Sequence, residues 1–549
     1  MRKIIVSSPA AQFLFAALLI CGSVTFLFAQ RKERLIEAWK PTHFDVSIVF
    51  DRGLTKLTSA TTKIDIVTRR SDVNVIDLDF GSMPVSSVLV NNAPAKFTQH
   101  DEKLDVQLAS PAQKDQRLGL TITYSGTPKD GLILSIDKDG SPTAIGDNWA
   151  DRVHNWIPCL DHPSAKASVR FTVTAPSDFT AVANGVMESV KPSPATAVKT
   201  WVFYETRPVS PYNMVVAVGR FATGELEGTS PVPVSYYVPM SEGKFAEKAF
   251  SPAIPTIITF SNLVAPYPYK KLALIVGATK FGGMENANTI VFSPNYFNNF
   301  TTAPGRSKKF DIPKSTEDVD AHEIAHQWFG DSVTESTWAD LWLSEGFATY
   351  FAGLFLEKNE GPDVFREYMR GNAKSYLEYE KKRRAPIHDI QTEKLFDLLN
   401  PNNYEKGGWV LHMLRGMLGD EAFFAGIRSY YDKHKDSTAT SEDLRAALEK
   451  ASGRDLKSFF DRWIYKAGHP VYQTSWNDAG NGSITVTLKQ TQPDEAFLQP
   501  VTVEIVTEKG KQRVTMEPKS KETTITVKSA PPRAVMIDPD ELVLKEVVN

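Results

Sequence analysis

At 549 residues the chain is too long for one hydrophobic core, and two to four domains are expected. Its composition, 42% hydrophobic, 11% aromatic and 23% charged, is that of a folded protein and argues against long disordered tracts. A formal net charge of −3 gives no support to a nucleic-acid partner, and KKRR at 381–384 is too short to make a basic stripe.

The N-terminus opens on MRK, runs through FLFAALLICGSVTFLFA at 13–29 and then meets a charged QRKER. A basic start, an apolar run and small Ala29 ahead of Gln30 read as an export signal over 1–29. The run is slightly short for a spanning helix, so a cleaved signal is read first. The expected location is periplasmic or secreted, with membrane contact only if the segment stays uncleaved as an anchor. A lipid anchor at Cys21 is disfavoured by the bulky Ile20 before it. With the signal removed, Cys159 is left without a partner for a disulfide and reads as a small buried hydrophobe rather than a nucleophile.

Residues 30–226 have a β texture. KLTSATTKIDIVTR, VNVIDLDF, KLDVQLA, LGLTITYSG, ASVRFTVTA and KTWVFYET are short, often alternating runs separated by Pro, Gly, Asn and Asp. They predict an antiparallel β domain. Residues 227–466 change to helical periodicity, with helices expected at 244–264, 316–329, 338–358, 362–380, 405–418, 420–434 and 441–465. A strand pair at KLALIVG and NTIVFS lies among them. From 467 to 549, SITVTLKQ, PVTVEIVTEKGKQRVTMEP, ETTITVKS and AVMIDP predict a small β-sandwich. The expected fold class is multidomain α+β, in the order β, mostly α, β.

Within the helical part, STEDVDAHEIAHQWFG reads as one helix, with Ser315 and Asp318 spaced as a variant capping box. On a helix, His322 and His326 share a face and can bind one Zn²⁺, one ion per chain. Glu323 lies near the metal but off the ligand line, where a general base for a metal-bound water belongs. GDSVTEST breaks the helix, and WADLWLSEGFATYF starts another whose apolar faces pack it back on the first, pointing Glu345 at the metal. Two histidines, a glutamate and an open position make a catalytic rather than a structural site. Zinc follows from the ligand chemistry, though cobalt or manganese can occupy such a site in vitro.

Upstream lies GATKFGGMENANTIVFS, in which GGMEN alone could be a turn bearing a solvated acid. Together with the metal motif it resembles the gluzincin aminopeptidases, the family that includes aminopeptidase N and leukotriene hydrolase. The resemblance implies that Glu285 grips the substrate's free α-ammonium. It implies also that Gly282, Gly283, Met284, Glu285 and Asn286 line the cleft as an edge strand, against which the substrate backbone lies. NPNNYEKGGWVLHML matches the family's Tyr-x-Lys-Gly element, which implies that Tyr404 stabilises the oxyanion. WIPCLDHPSAKASVRFTVTAP, WADLWLSEGFATYF and RWIYKAGHPVY extend the match. The implied fold is a saddle-like N-terminal β domain, a thermolysin-like α/β catalytic domain and a C-terminal β-sandwich. The implied activity is hydrolysis of the N-terminal peptide bond of peptides with a free amine.

Two departures stand out. Many members carry Gln or Glu as a second amine contact where this chain has Trp149, with Asp147 and Asp151 as nearby substitutes. Larger members add a C-terminal helical domain that this sequence does not reach, which implies a more open cleft. A catalytically silent scaffold and a zinc endopeptidase are the rival readings. The first requires loss of metal ligands or base, and the second has no use for Glu285. An epoxide hydrolase activity finds no support. Side-chain preference and oligomeric state are not legible.

Overall fold

The computed structural model describes residues 31–34 and 37–548; the expected export segment at 1–29 lies outside them. Among the described residues no helix is long and apolar enough to cross a membrane.

The N-terminal domain is built on an eight-stranded sheet. Its core is the strand Trp39–Phe50, where Phe44, Val46 and Ile48 alternate inward and are fully buried. That strand pairs antiparallel with Leu57–Thr68 on one side and parallel with Ala167–Pro176 on the other, His43 opposite Ser168. The sheet is therefore mixed, where the sequence predicted an antiparallel one. A smaller four-stranded sheet, in the order Thr180–Ala183, Val216–Gly219, Pro142–Gly146, Leu132–Ile136, carries the chain toward the next domain. Cys159, paired through its backbone with Asp79, is buried, and burial raises its thiol well above the usual value, consistent with an inert packing residue.

The second domain has more sheet than the pair expected. Five strands run in the order Phe221–Glu225, Val234–Pro239, Leu272–Val276, Thr289–Phe292, Gly283–Met284. Phe221–Glu225, which the sequence reading places before the boundary at 226, pairs with Val234–Pro239. Two predicted helices are each divided. Residues 244–264 form Gly243–Ala249 and Ala253–Leu263, with Pro252 between them; residues 441–465 form Ser441–Ser452 and Lys457–Trp463, with Gly453 at φ +68° ending the first. The predicted capping box is absent: the helix Lys314–Ala325 starts behind Pro313 with no side-chain cap, and Asp318 turns to the cleft instead.

The C-terminal residues form a four-stranded and a three-stranded sheet. Val486 and Leu488 of one and Val503 and Ile505 of the other are buried in the core.

Candidate active site

The site is assembled by two helices and one strand edge. Lys314–Ala325 presents His322, with His326 one turn on at its C-cap. Trp342–Glu360 packs against it through an aromatic seam in which the Phe329 and Phe347 rings stack at 4.2 Å between centroids. Trp342 and Phe347 are fully buried, each burial contributing roughly 1.5–3 kcal/mol toward holding the helices together. This packing brings Glu345, in the first turn of the second helix, to the two imidazoles.

The three groups converge closely. His322 Nε2 and His326 Nε2 are 3.1 Å apart, and each lies 3.3 Å from Glu345 Oε2. Ligands of a tetrahedral zinc at about 2.0–2.1 Å stand about 3.3 Å from one another, so this triangle fits the ion. The other ring nitrogen of His326 is engaged: Nδ1–H donates to the Phe329 carbonyl at 3.1 Å, with Ser344 Oγ at 3.0 Å. That bond sets the tautomer and leaves Nε2 as an acceptor for a metal.

Electrostatics points the same way. Burial and neighbouring carboxylates push Glu285 up to about 7 and Glu335 to about 8, and they hold Glu323 and Asp331 well above the usual range. Burial lowers His326, but Glu345, Glu285 and Glu323 outweigh it and raise the ring to about 10. Burial would raise Glu345, yet His326 and His322 draw it down to about 2. Several buried carboxyl groups thus crowd one point, and a cation bound there would favour their ionised forms. Among the described residues Glu323 Oε2 has no hydrogen-bond partner, leaving it able to accept a proton.

Glu285 follows directly on the two-residue strand Gly283–Met284, which pairs antiparallel with Thr289–Phe292 and forms the sheet edge. Its backbone carbonyl accepts from Gln327 Nε2 at 2.8 Å, while Gln327 Oε1 accepts from the Asn288 amide at 2.7 Å. Gln327, next to His326, thus ties this strand to the metal-site helix. The ligand atoms of Glu285, Glu323 and His326 lie within 4.8 Å of one another. A Cβ on Gly283 would run into the Glu323 carboxylate. Gly283→Ala is therefore expected to displace the Glu323 carboxylate and cut turnover at least about tenfold, as misplacement of a reacting group does. Native turnover with zinc bound would count against that contact.

The cleft encloses about 310 Å³ and is lined by Gly282, Gly283, Met284, Glu285, His322, Glu323, His326, Glu345 and Tyr404 among others. Asn286 is the exception among the predicted residues. It is fully buried, donates to the Met284 carbonyl at 3.3 Å and is not among the residues that line the cleft. Tyr404 enters from the π-helical turn Asn402–Lys406, just before the helix Gly407–Leu418, and its ring lies nearly parallel to His322 at 5.9 Å.

Trp149 closes one wall, its ring meeting Phe281, Trp338 and Phe396 edge-on at 6.0, 5.6 and 5.6 Å. Neither proposed substitute for its amine contact is available. Asp147 is fully buried and bound to Arg152 at 2.9 Å, the Thr279 hydroxyl at 3.1 Å and the Lys280 amide at 3.2 Å. Asp151 is exposed and does not line the cleft. Asp318, Val319, Leu399, Asp331 and Glu335 bear on the site without having been anticipated. Asp331 and Glu335 fall in GDSVTEST, where no periodicity marks which side chains turn inward.

A His-Glu-x-x-His helix facing a glutamate from the following helix defines the gluzincin class. The chain belongs to peptidase family M1: the Peptidase M1 N-terminal domain matches residues 40–213 and the Peptidase family M1 domain matches residues 253–463. It is 31% identical to "Aminopeptidase M1-A" of Oryza sativa subsp. japonica over 375 residues, 65% of this chain and 42% of that protein. It is 29% identical over 458 residues to "Tricorn protease-interacting factor F2" of Thermoplasma acidophilum, covering 80% of this chain and 56% of that protein. "Leucyl aminopeptidase" of Saccharolobus solfataricus is 27% identical over 424 residues, 74% of this chain and 51% of that one. The chain spans about half the length of the curated relatives it matches.

Proposed function

We propose that this protein is a zinc-dependent aminopeptidase, removing the first residue from peptides with a free α-amine. The observation that carries the reading is one cleft holding both a three-ligand metal site and a buried carboxylate, Glu285, at a sheet edge. The names of the relatives support it, several being aminopeptidases.

His322, His326 and Glu345 would hold one Zn²⁺, which when bound supplies Lewis acidity and brings the pKa of a water toward neutrality. The chain's own residues do the rest. The edge Gly283–Met284 takes the peptide backbone as an added strand. Glu285 pairs with the α-ammonium, so the first peptide bond is the one held beside Glu323. Glu323 accepts the proton of the attacking water and returns it to the leaving amine. The Tyr404 hydroxyl donates to the oxyanion that develops on the carbonyl oxygen. Export remains part of the proposal and rests on the apolar run at 13–29.

The test is Glu285→Ala, assayed on one peptide in free and N-acetylated forms. Loss of one partner of a buried charge pair costs about 2–5 kcal/mol, so kcat/KM on the free peptide should fall by about thirtyfold or more. The gap between free and acetylated forms should narrow. A variant that keeps the native preference for free amines would remove Glu285 from this role.

A further inference from the structure

One carboxylate lines the cleft and is used by none of the chemistry above. The helix Lys314–Ala325 and its C-cap carry Asp318, His322 and His326 at steps of four. They share one face at successive turns, about 6 Å apart along the axis. The His326 end of this row adjoins the amine anchor, since Glu285, Glu323 and His326 bring ligand atoms within 4.8 Å of one another. Asp318 is therefore on the far side of His322 from Glu285. A peptide anchored by its amine at Glu285, with its first bond beside His322 and Glu323, runs its second residue toward Asp318.

Asp318 is partly exposed and lines the cleft beside Val319. The Tyr368 hydroxyl is shared between it and the Thr349 carbonyl, the latter at 2.9 Å, and burial still pushes the Asp318 carboxyl up to about 7. Among the described residues Asp318 Oδ1 has no unshared hydrogen-bond partner, and no lysine or arginine lines the cleft. A half-buried carboxylate without a cation favours a substrate that brings one.

We propose that Asp318 selects peptides whose second residue is Lys or Arg, through a charge-assisted hydrogen bond to that side chain. The inference rests on the aminopeptidase reading, which sets the direction in which the peptide lies.

The test uses the zinc-loaded protein and three peptides that differ only at the second residue, Arg, Gln or Glu. Native protein should release the first residue from the Arg peptide with kcat/KM about tenfold above the Gln peptide, a gap that shrinks in high salt. Asp318→Asn should bring that ratio close to one, and Asp318→Lys should turn the preference toward the Glu peptide. Equal kcat/KM of the native protein on the Arg and Gln peptides overturns the proposal alone, as does an Asp318→Asn variant that keeps the ratio. If no peptide loses its first residue, the aminopeptidase reading fails, and this inference falls with it.

Discussion

Glu323→Gln is expected to lower turnover by about three to four orders of magnitude, the upper part of the range for a positioned general base. The amide keeps the shape of the side chain but cannot take the proton of the attacking water. The variant should still bind one zinc, because the three ligand atoms belong to His322, His326 and Glu345. It should also fold at least as well as the native protein. Glu323 is buried among Glu285 and Glu345, which repel its charge, and a neutral amide relieves that repulsion. Metal content and thermal stability therefore separate a lost base from a lost fold. A fall in turnover of less than about tenfold would take the base role from Glu323.

Tyr404→Phe should cost about a hundred- to a thousandfold in turnover, the loss seen when a single oxyanion donor is removed. The ring stays, so its stacking against His322 at 5.9 Å is kept and the metal ligands are undisturbed. Burial raises the Tyr404 hydroxyl well above its ordinary value, so it remains protonated and able to donate across the working pH range. The loss should fall on kcat with little change in KM, since the donor acts where charge develops and not on the bound ground state. A loss below about threefold would assign the oxyanion to another donor.

The residues of the site were legible because their spacing carries the chemistry. His322 and His326 at four residues and Glu345 at the start of the next apolar helix meet in the structure within 3.3 Å. Helices flanked by clear punctuation were legible too: Pro362–Glu380 and Asp420–His434 begin after Gly361 and Gly419, both at positive φ. What local pattern does not encode was missed. The parallel pairing of Trp39–Phe50 with Ala167–Pro176 joins strands far apart in the chain, and no turn residue announces it. Asn286 was assigned to the cleft on resemblance alone, since a strand of two residues is too short to show which side chains alternate outward. The aromatic wall at Trp149 depends on Phe396, which arrives from a 3₁₀ turn at Leu395–Leu398 in another domain. Asp318 looked like a capping residue because it is acidic and lies early in a helix, whereas its place on the His322 face points it to the cleft.

The most direct measurement takes one peptide in free and N-acetylated forms, incubates each with the zinc-loaded protein, and follows the products by mass, with Glu323→Gln beside it to exclude contaminating peptidases. Stepwise loss of N-terminal residues from the free form only, absent in the variant, is the predicted result. Internal cleavage of both forms at similar rates would contradict the account, because Glu285 would then not be holding the substrate's amine.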